Sequence, residues 1–415
     1  MGRLLRALAP LALLPLAGCV QPPAKKQAPE PFVFRSLNLR QQNSKGEPAW
    51  ELTSPEARYD IDRRLAQARN LQGVTYRRGK PNYRVAARVG TVLNDGELIQ
   101  LEGDVRITLL GDDPVLIRSQ QVRWLPRQEL MVMDSRAVAT DRRSRLTANT
   151  ARFLLQEDRL ELRGKPQLER WDPARSKAPS SGGSASPASP ASPATATATA
   201  TATAEPAARP AAQEILKVRT ADWSPGSGLL RAAGPVRGRR SDGQVITASA
   251  LEGNLRQGFV DLLAPVRLRD AGRKGWLEAD RSRWDLEGQT LRTATPFRAQ
   301  LDKLGLQGNA LDIDLKRELV VVPTACALQQ PGETLQAERC RWNWSSGRFV
   351  AVGDVVLRRS VYSQVTRAAR LEGSIGKQGQ AIFTTPGGRV NSQLTLPPPG
   401  AGGTKGRKPA ARVEF

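Results

Sequence analysis

The stretch "LIQLEGDVRITL", residues 98–109, alternates as a half-buried strand does, with Leu101, Val105 and Ile107 on one face and Glu102, Asp104 and Arg106 on the other. Gly103 falls on the apolar face, where a strand against a packed core carries a bulky side chain. The same line recurs along the chain. "LAQARNLQGVTY" places Gly73, "LMVMDSRAVA" Ser135 and "LELRGKPQL" Gly164, and a second run places Gly234, Ala264, Thr295, Thr324 and Gly353. Within each run the small residue returns every 29 to 32 positions. Before it comes a companion strand with its own signature: Ser119, Val122 and Trp124; Ala148, Ala151 and Phe153; Ala279, Ser282 and Trp284; Ala337, Cys340 and Trp342. Turn-rich pieces such as "NDGE", "LQEDR" and "SSGR" separate the paired strands. Each unit is therefore a predicted hairpin, and nothing between units has a helical period. An all-β chain follows, either an array of stacked antiparallel hairpins or an ordinary β-sandwich, and the constant spacing favours the array.

Three segments break the pattern. From Asp172 to about Ala212 the chain is almost wholly Ser, Pro, Ala and Thr, which cannot bury enough apolar surface to offset chain entropy, so a disordered linker is expected. Gly164 and Gly234 lie 70 apart, one repeat plus about the tract's length, so the tract consumes no repeat. An inserted loop in one array and a linker between two domains both remain open. The end, "LPPPGAGGTKGRKPAARVEF", is a loose basic tail. At the start, Arg3 and Arg6 precede an apolar run from Ala7 to Ala17 and the sequence "LAGC", which has the layout of an export signal. "LAGC" resembles a bacterial lipobox, in which Cys19 becomes the acylated first residue. The expected order is a signal peptide over residues 1–18, a tether over 19–31, a β module over 32–171, a linker over 172–213, a second β module over 214–394 and a tail over 395–415.

Charge and composition narrow the chemistry. Lys and Arg number 63 against 40 Asp and Glu, so the surface field favours anionic partners. Export turns the expectation from nucleic acid to anionic envelope molecules, and the basic balance is then a groove rim, a headgroup contact or merely a solvated surface. The chain has no histidine, which removes the commonest metal ligand and every Ser-His or Cys-His pairing. The carboxylate pairs Asp60/Asp62 and Asp312/Asp314 each share one strand face, an arrangement that suits solvent better than catalysis; Asp112 and Asp113 belong to a turn. No enzyme, metal or cofactor is expected. Cys326 and Cys340 flank a turn-like "QQPGE", and a disulfide or two buried thiols are both compatible with that spacing. The recurrent Trp124, Trp284 and Trp342 are read as packing residues.

The small residues admit two explanations. They mark corners where strands pass between sheets, or they leave an apolar trough under-filled for hydrocarbon. The trough would be lined by Leu101, Gly103, Val105, Ile107, Leu160, Leu162, Leu168, Leu262, Val266, Leu268, Phe349, Val355 and Leu357.

With its anchored N-terminus, the segment "LNLRQQNSKGEPAWELTSPEARYDIDRRLAQARNLQGVTY" and the hairpin form "ARVGTVLNDGELIQLEGDVRI", the chain resembles the periplasmic lipopolysaccharide-transport proteins of the LptC and LptA (OstA-like) type. The resemblance is closest over residues 32–168, with a weaker second round over 218–390. It implies an open, twisted β-jellyroll whose interior carries acyl chains, stacked with other OstA-like proteins into a bridge that starts at an inner-membrane ABC transporter. A lipobox stands where the membrane-bound member usually has a transmembrane helix, and the array is doubled. The implied protein is a lipid-anchored periplasmic carrier of lipopolysaccharide or a similar anionic glycolipid, without catalysis. The rival is a scaffold that recruits envelope proteins through exposed strand edges and carries no lipid.

Overall fold

A computed structural model describes residues 32–111, 113–171, 212–272, 274–374 and 381–395. Cys19, the signal and tether, almost all of the Ala/Thr/Ser/Pro tract and the basic tail lie outside the described residues. So does Asp112. The described chain is antiparallel β-structure throughout, with short 3-10 turns and no α-helix among the described residues. No helix of the described residues is long and apolar enough to cross a membrane.

Two layers arise because the strands bend at their middles. In Leu98–Leu109 the first half pairs with 121–124 and the second half with 116–119, and the register shifts between Glu102 and Val105. Gly103 and Asp104 occupy that shift with φ of +78° and +49°. The bulge kinks the strand and carries it from one layer into the other. Gly353 and Asp354 do the same in Arg348–Arg359, at +83° and +44°. In the shorter repeats the strand breaks at the corner into two pieces, as Arg159–Arg163 and Gln167–Arg170 do around Gly164. The corner explanation of the small residues therefore holds at Gly103, Gly164 and Gly353.

Inward side chains then line up as cross-strand partners through both layers. One row runs Ile107, Ile117, Ala139, Leu146 and Leu168, and continues into Leu216. The other runs Trp124, Met131, Phe153 and Leu160 into Trp223. Both rows cross from the first run of repeats to the second by direct strand pairing. Gln167–Arg170 pairs with Glu214–Lys217, Arg159–Arg163 pairs with Thr220–Trp223, and the Gln213 amide donates to the Arg170 carbonyl at 2.8 Å. The tract thus leaves and re-enters between neighbouring strands of one array.

Candidate functional site

Over the first run of repeats the interior is filled by the protein itself. Leu101, Val105, Ile107, Leu160 and Leu162 are each no more than 1% exposed, with Trp124, Phe153 and Met131 packed among them. Trp50 meets Trp124 edge-on at 5.7 Å and Tyr83 meets Phe153 at 5.0 Å, so aromatic rings bridge the layers. Glycines open no gap here. A Cβ on Gly73 would lie 2.5 Å from Leu52 Cδ2, and one on Gly103 would meet the Arg88 side chain at 2.7 Å. The expectation that Gly103 leaves a hole in an apolar lining is therefore corrected: Gly103 is a corner residue chosen for its positive φ. Leu168, Leu262, Val266, Phe349, Val355 and Leu357 are likewise buried core. A trough under-filled from end to end is absent from the described residues.

The rims of the two layers opposite the corners are joined over the same region. The Tyr83 hydroxyl donates to Asp158 Oδ1, whose Oδ2 accepts from the Gly226 amide at 2.7 Å. Burial first, and the Asp158 carboxylate second, push the Tyr83 phenol far above its ordinary value, so it remains a donor. Arg77 donates to the Gln156 carbonyl at 3.0 Å, Arg256 to the Asp113 carbonyl at 3.3 Å, and Arg143 pairs with Glu287. Asp113, read from sequence as a plain turn residue, thus helps tie one rim to the other.

In the second run of repeats part of the interior changes. Leu268, Ala299, Leu304, Leu306, Ile313, Val320 and Trp342 point inward yet are only partly buried. They surround a cavity of about 140 Å³. One wall is built from the partners Leu268, Leu277, Ala299 and Leu306, the other from Trp284, Leu291, Ile313, Val320 and Trp342. A largely apolar space of this size accepts a benzene-sized group, which corresponds to a segment of one hydrocarbon chain. Leu268 alone among the trough residues named from sequence lines it. The others were missed because "LGLQG" and "LDIDL" alternate as any two-faced strand does and "LVVV" is apolar on both faces, and neither pattern reports how full the inward side is.

Polar groups gather at one end of this hollow. Arg240, Gln244 and Trp284 line it, and the Arg240 guanidinium sits 5.8 Å from the Trp284 ring centre. A second hollow of about 450 Å³ lies at the N-terminal end of the array under Leu37, Leu39 and Tyr59, beside the exposed strand Phe32–Phe34. The carboxylates weighed for catalysis lie elsewhere. Asp312 pairs with Arg292 at 3.6 Å, Asp314 accepts from the Lys316 and Arg317 amides, and Asp60 accepts from the Arg63 amide. No group of three or more metal-ligating side chains occurs among the described residues. Cys326 and Cys340 form a disulfide with Cα atoms 5.8 Å apart. Their strands are not paired neighbours: Cys326 pairs with Ala337 in one layer and Cys340 with Val322 in the other, so the bond ties the layers at a corner.

Residues 13–167 match the family described as "LptC: Lipopolysaccharide-assembly, LptC-related". No curated protein matches the chain. Among solved structures, it is similar to LptH of Pseudomonas aeruginosa, described as the LptA homologous periplasmic component of the conserved lipopolysaccharide transport device. That likeness has a TM-score of 0.25 and 11% identity, and it covers 28% of this chain and 82% of the other.

Proposed function

We propose, from the match of residues 13–167 to the LptC-related lipopolysaccharide-assembly family, that the protein is a non-catalytic periplasmic component of lipopolysaccharide export. It is held on a membrane by acylated Cys19, the inner membrane being favoured. It shelters an acyl chain of lipopolysaccharide or a similar anionic glycolipid in the hollow between Leu306 and Val320. Its net charge of +23 suits the anionic headgroup outside. Movement of the lipid comes from an ATP-driven transporter and continues through other OstA-like proteins.

The observation that carries this reading is the apolar cavity of about 140 Å³ between two β layers whose inward positions from Leu101 to Leu162 are closed. Lipid contact is assigned to the hollow first. Leu101, Val105, Ile107, Leu160 and Leu162 become lipid contacts only when the Tyr83–Asp158 and Arg143–Glu287 rim contacts part. The test is a photo-crosslinking amino acid placed in the exported protein at Val320, at Val105 and at outward-facing Arg341. Lipid adducts from Val320, with few from Val105 and none from Arg341, are expected. Equal labelling from Val320 and Arg341 overturns the reading.

A scaffold reading has its own support in the exposed side chains of Phe32–Phe34 at one end of the array and of Asn391–Gln393 at the other. Mass spectrometry separates the two, because a scaffold purifies without glycolipid or phospholipid.

A further inference from the structure

The two layers differ on their outer faces in the region of the hollow. On the layer that carries the tryptophans, outward cross-strand partners run Asp222, Arg231, Glu252, Asp261, Arg283 and Arg292, so acids answer arginines along most of the row. The other layer is one-sided. Lys217, Arg237, Arg239, Arg267, Arg269 and Arg298 all face outward and are exposed. On their two rows the acid between Lys217 and Arg298 is Glu278, which pairs with Arg267 at 2.9 Å. Lys217, Arg237, Arg239, Arg269 and Arg298 make no ion pair among the described residues. Lys217 even stands directly opposite Arg237, and like charges opposed across strands lower stability. A face kept basic against that cost has an anionic partner to offset it.

The shape of that partner follows from how the cations are spread. From Glu214–Lys217 to Phe297–Leu301 there are five strand spacings, about 24 Å at the usual separation. A single phosphate reaches one or two of these cations, whereas an extended anionic surface reaches them all. Trp276 stands among them, opposite Arg269 and 37% exposed, with its indole N–H donating to Gln300 Oε1 at 3.2 Å. An exposed indole beside arginines suits the headgroup level of a bilayer, where the ring is half immersed and the N–H keeps a polar partner. We propose that this outer face docks on the surface of an anionic lipid bilayer, with Trp276 at the interface. Leu268, Leu277 and Ala299 project from the other side of the same strands into the hollow, so docking holds the hollow one sheet's thickness from the membrane. The inference concerns the outside of the layer and stands whatever the hollow holds.

Purified full-length protein is made with a fluorescent amino acid at Gln307, beside Arg298 on the basic face, or at Arg292 on the opposite face. Each is mixed with vesicles of phosphatidylcholine, alone or with phosphatidylglycerol, that contain a lipid with a nitroxide quencher on its headgroup. Quenching at Gln307 is expected to rise with the phosphatidylglycerol fraction and to exceed that at Arg292. It is expected to fall to the Arg292 level in about 1 M salt, where the screening length is about 3 Å. Lys217→Gln, Arg237→Gln, Arg239→Gln and Arg269→Gln together are expected to lower the docked population about fivefold for each charge removed. Arg237→Lys, Arg239→Lys and Arg269→Lys keep the charge and are expected to keep the docking. Arg231→Gln, Arg339→Gln, Arg341→Gln and Arg348→Gln take the same charge from elsewhere and are expected to leave quenching at Gln307 unchanged. Equal quenching at Gln307 and Arg292, or quenching at Gln307 that ignores lipid charge and salt, overturns the proposal. So does a probe at Gln307 that responds to soluble polyphosphate and to no vesicle, which assigns the face to a free polyanion instead.

Discussion

Asp261 shows how single residues hold the outer face of the array. It sits on the strand Phe259–Leu262, 8% exposed, and accepts from Arg283 Nε and Nη2 at 2.7 and 2.8 Å and from Arg281 Nη2 at 3.1 Å. Arg283 in turn lies 4.4 Å over the Phe259 ring. The hydrogen bond from Arg283 leads in holding the Asp261 carboxyl below its ordinary value. A carboxyl lowered on folding contributes stability that is complete above its unfolded value, about 3.9, and is lost as pH falls through the lower folded value. Asp261→Asn is expected to cost about 1–3 kcal/mol near neutrality, with the gap to wild type closing as pH falls below the unfolded carboxyl value and through the lower folded one. Urea denaturation at several pH values checks this, and a gap that does not change with pH refutes the assignment. Gly103 marks the limit of reading at the same scale. Counting in twos from Leu101 puts it on the inward face, but an extra residue at a bulge ends the count, and the sequence "EGDV" does not say whether its glycine is a gap or a corner.

Strands carry the difference between filled and hollow interior. The period near 30 residues was legible because each repeat supplies paired segments to both layers, and the same turn and corner chemistry must recur each time. The degree of filling was not legible, because it depends on how far apart the layers stand and on which partners meet across them. Leu160 in Arg159–Arg163 and Ile313 in Leu311–Asp314 hold comparable inward positions, both on the layer that carries the tryptophans. Leu160 is fully buried, whereas Ile313 is partly buried on the cavity wall. Truncating a closed site loses both transfer energy and packing, so Leu160→Ala is expected to cost about 2–5 kcal/mol. Ile313→Ala enlarges a space that already exists and is expected to cost about 1–2 kcal/mol. Chemical denaturation of the two variants under one set of conditions makes the comparison. Equal costs would mean that the hollow is packed as tightly as the rest.

At the scale of the whole molecule, the strand pairs Leu168 with Leu216 and Leu160 with Trp223 make the two runs of repeats one continuous array. Sequence alone left an inserted loop and a domain linker equally open, because composition identifies a tract that cannot pack but not whether its ends meet. Here they do: Arg170 and Gln213 are joined by a backbone hydrogen bond at 2.8 Å, and Arg170 faces Glu214 across the strands. Residues 172–211 therefore span a distance that a tight turn would cover. Replacing them by a four-residue Gly/Asn turn shortens the closed loop roughly tenfold and is expected to stabilise the fold by about 2 kcal/mol, from the logarithmic dependence of closure entropy on length. The melting temperature would rise by a few degrees, and a cysteine pair introduced at the cross-strand partners Glu169 and Ile215 would form a disulfide in both the parent and the shortened chain. Two independent modules joined by a linker would behave differently. A four-residue connection would then force them together, lower the melting temperature or split the transition in two, and leave the Glu169→Cys and Ile215→Cys thiols free.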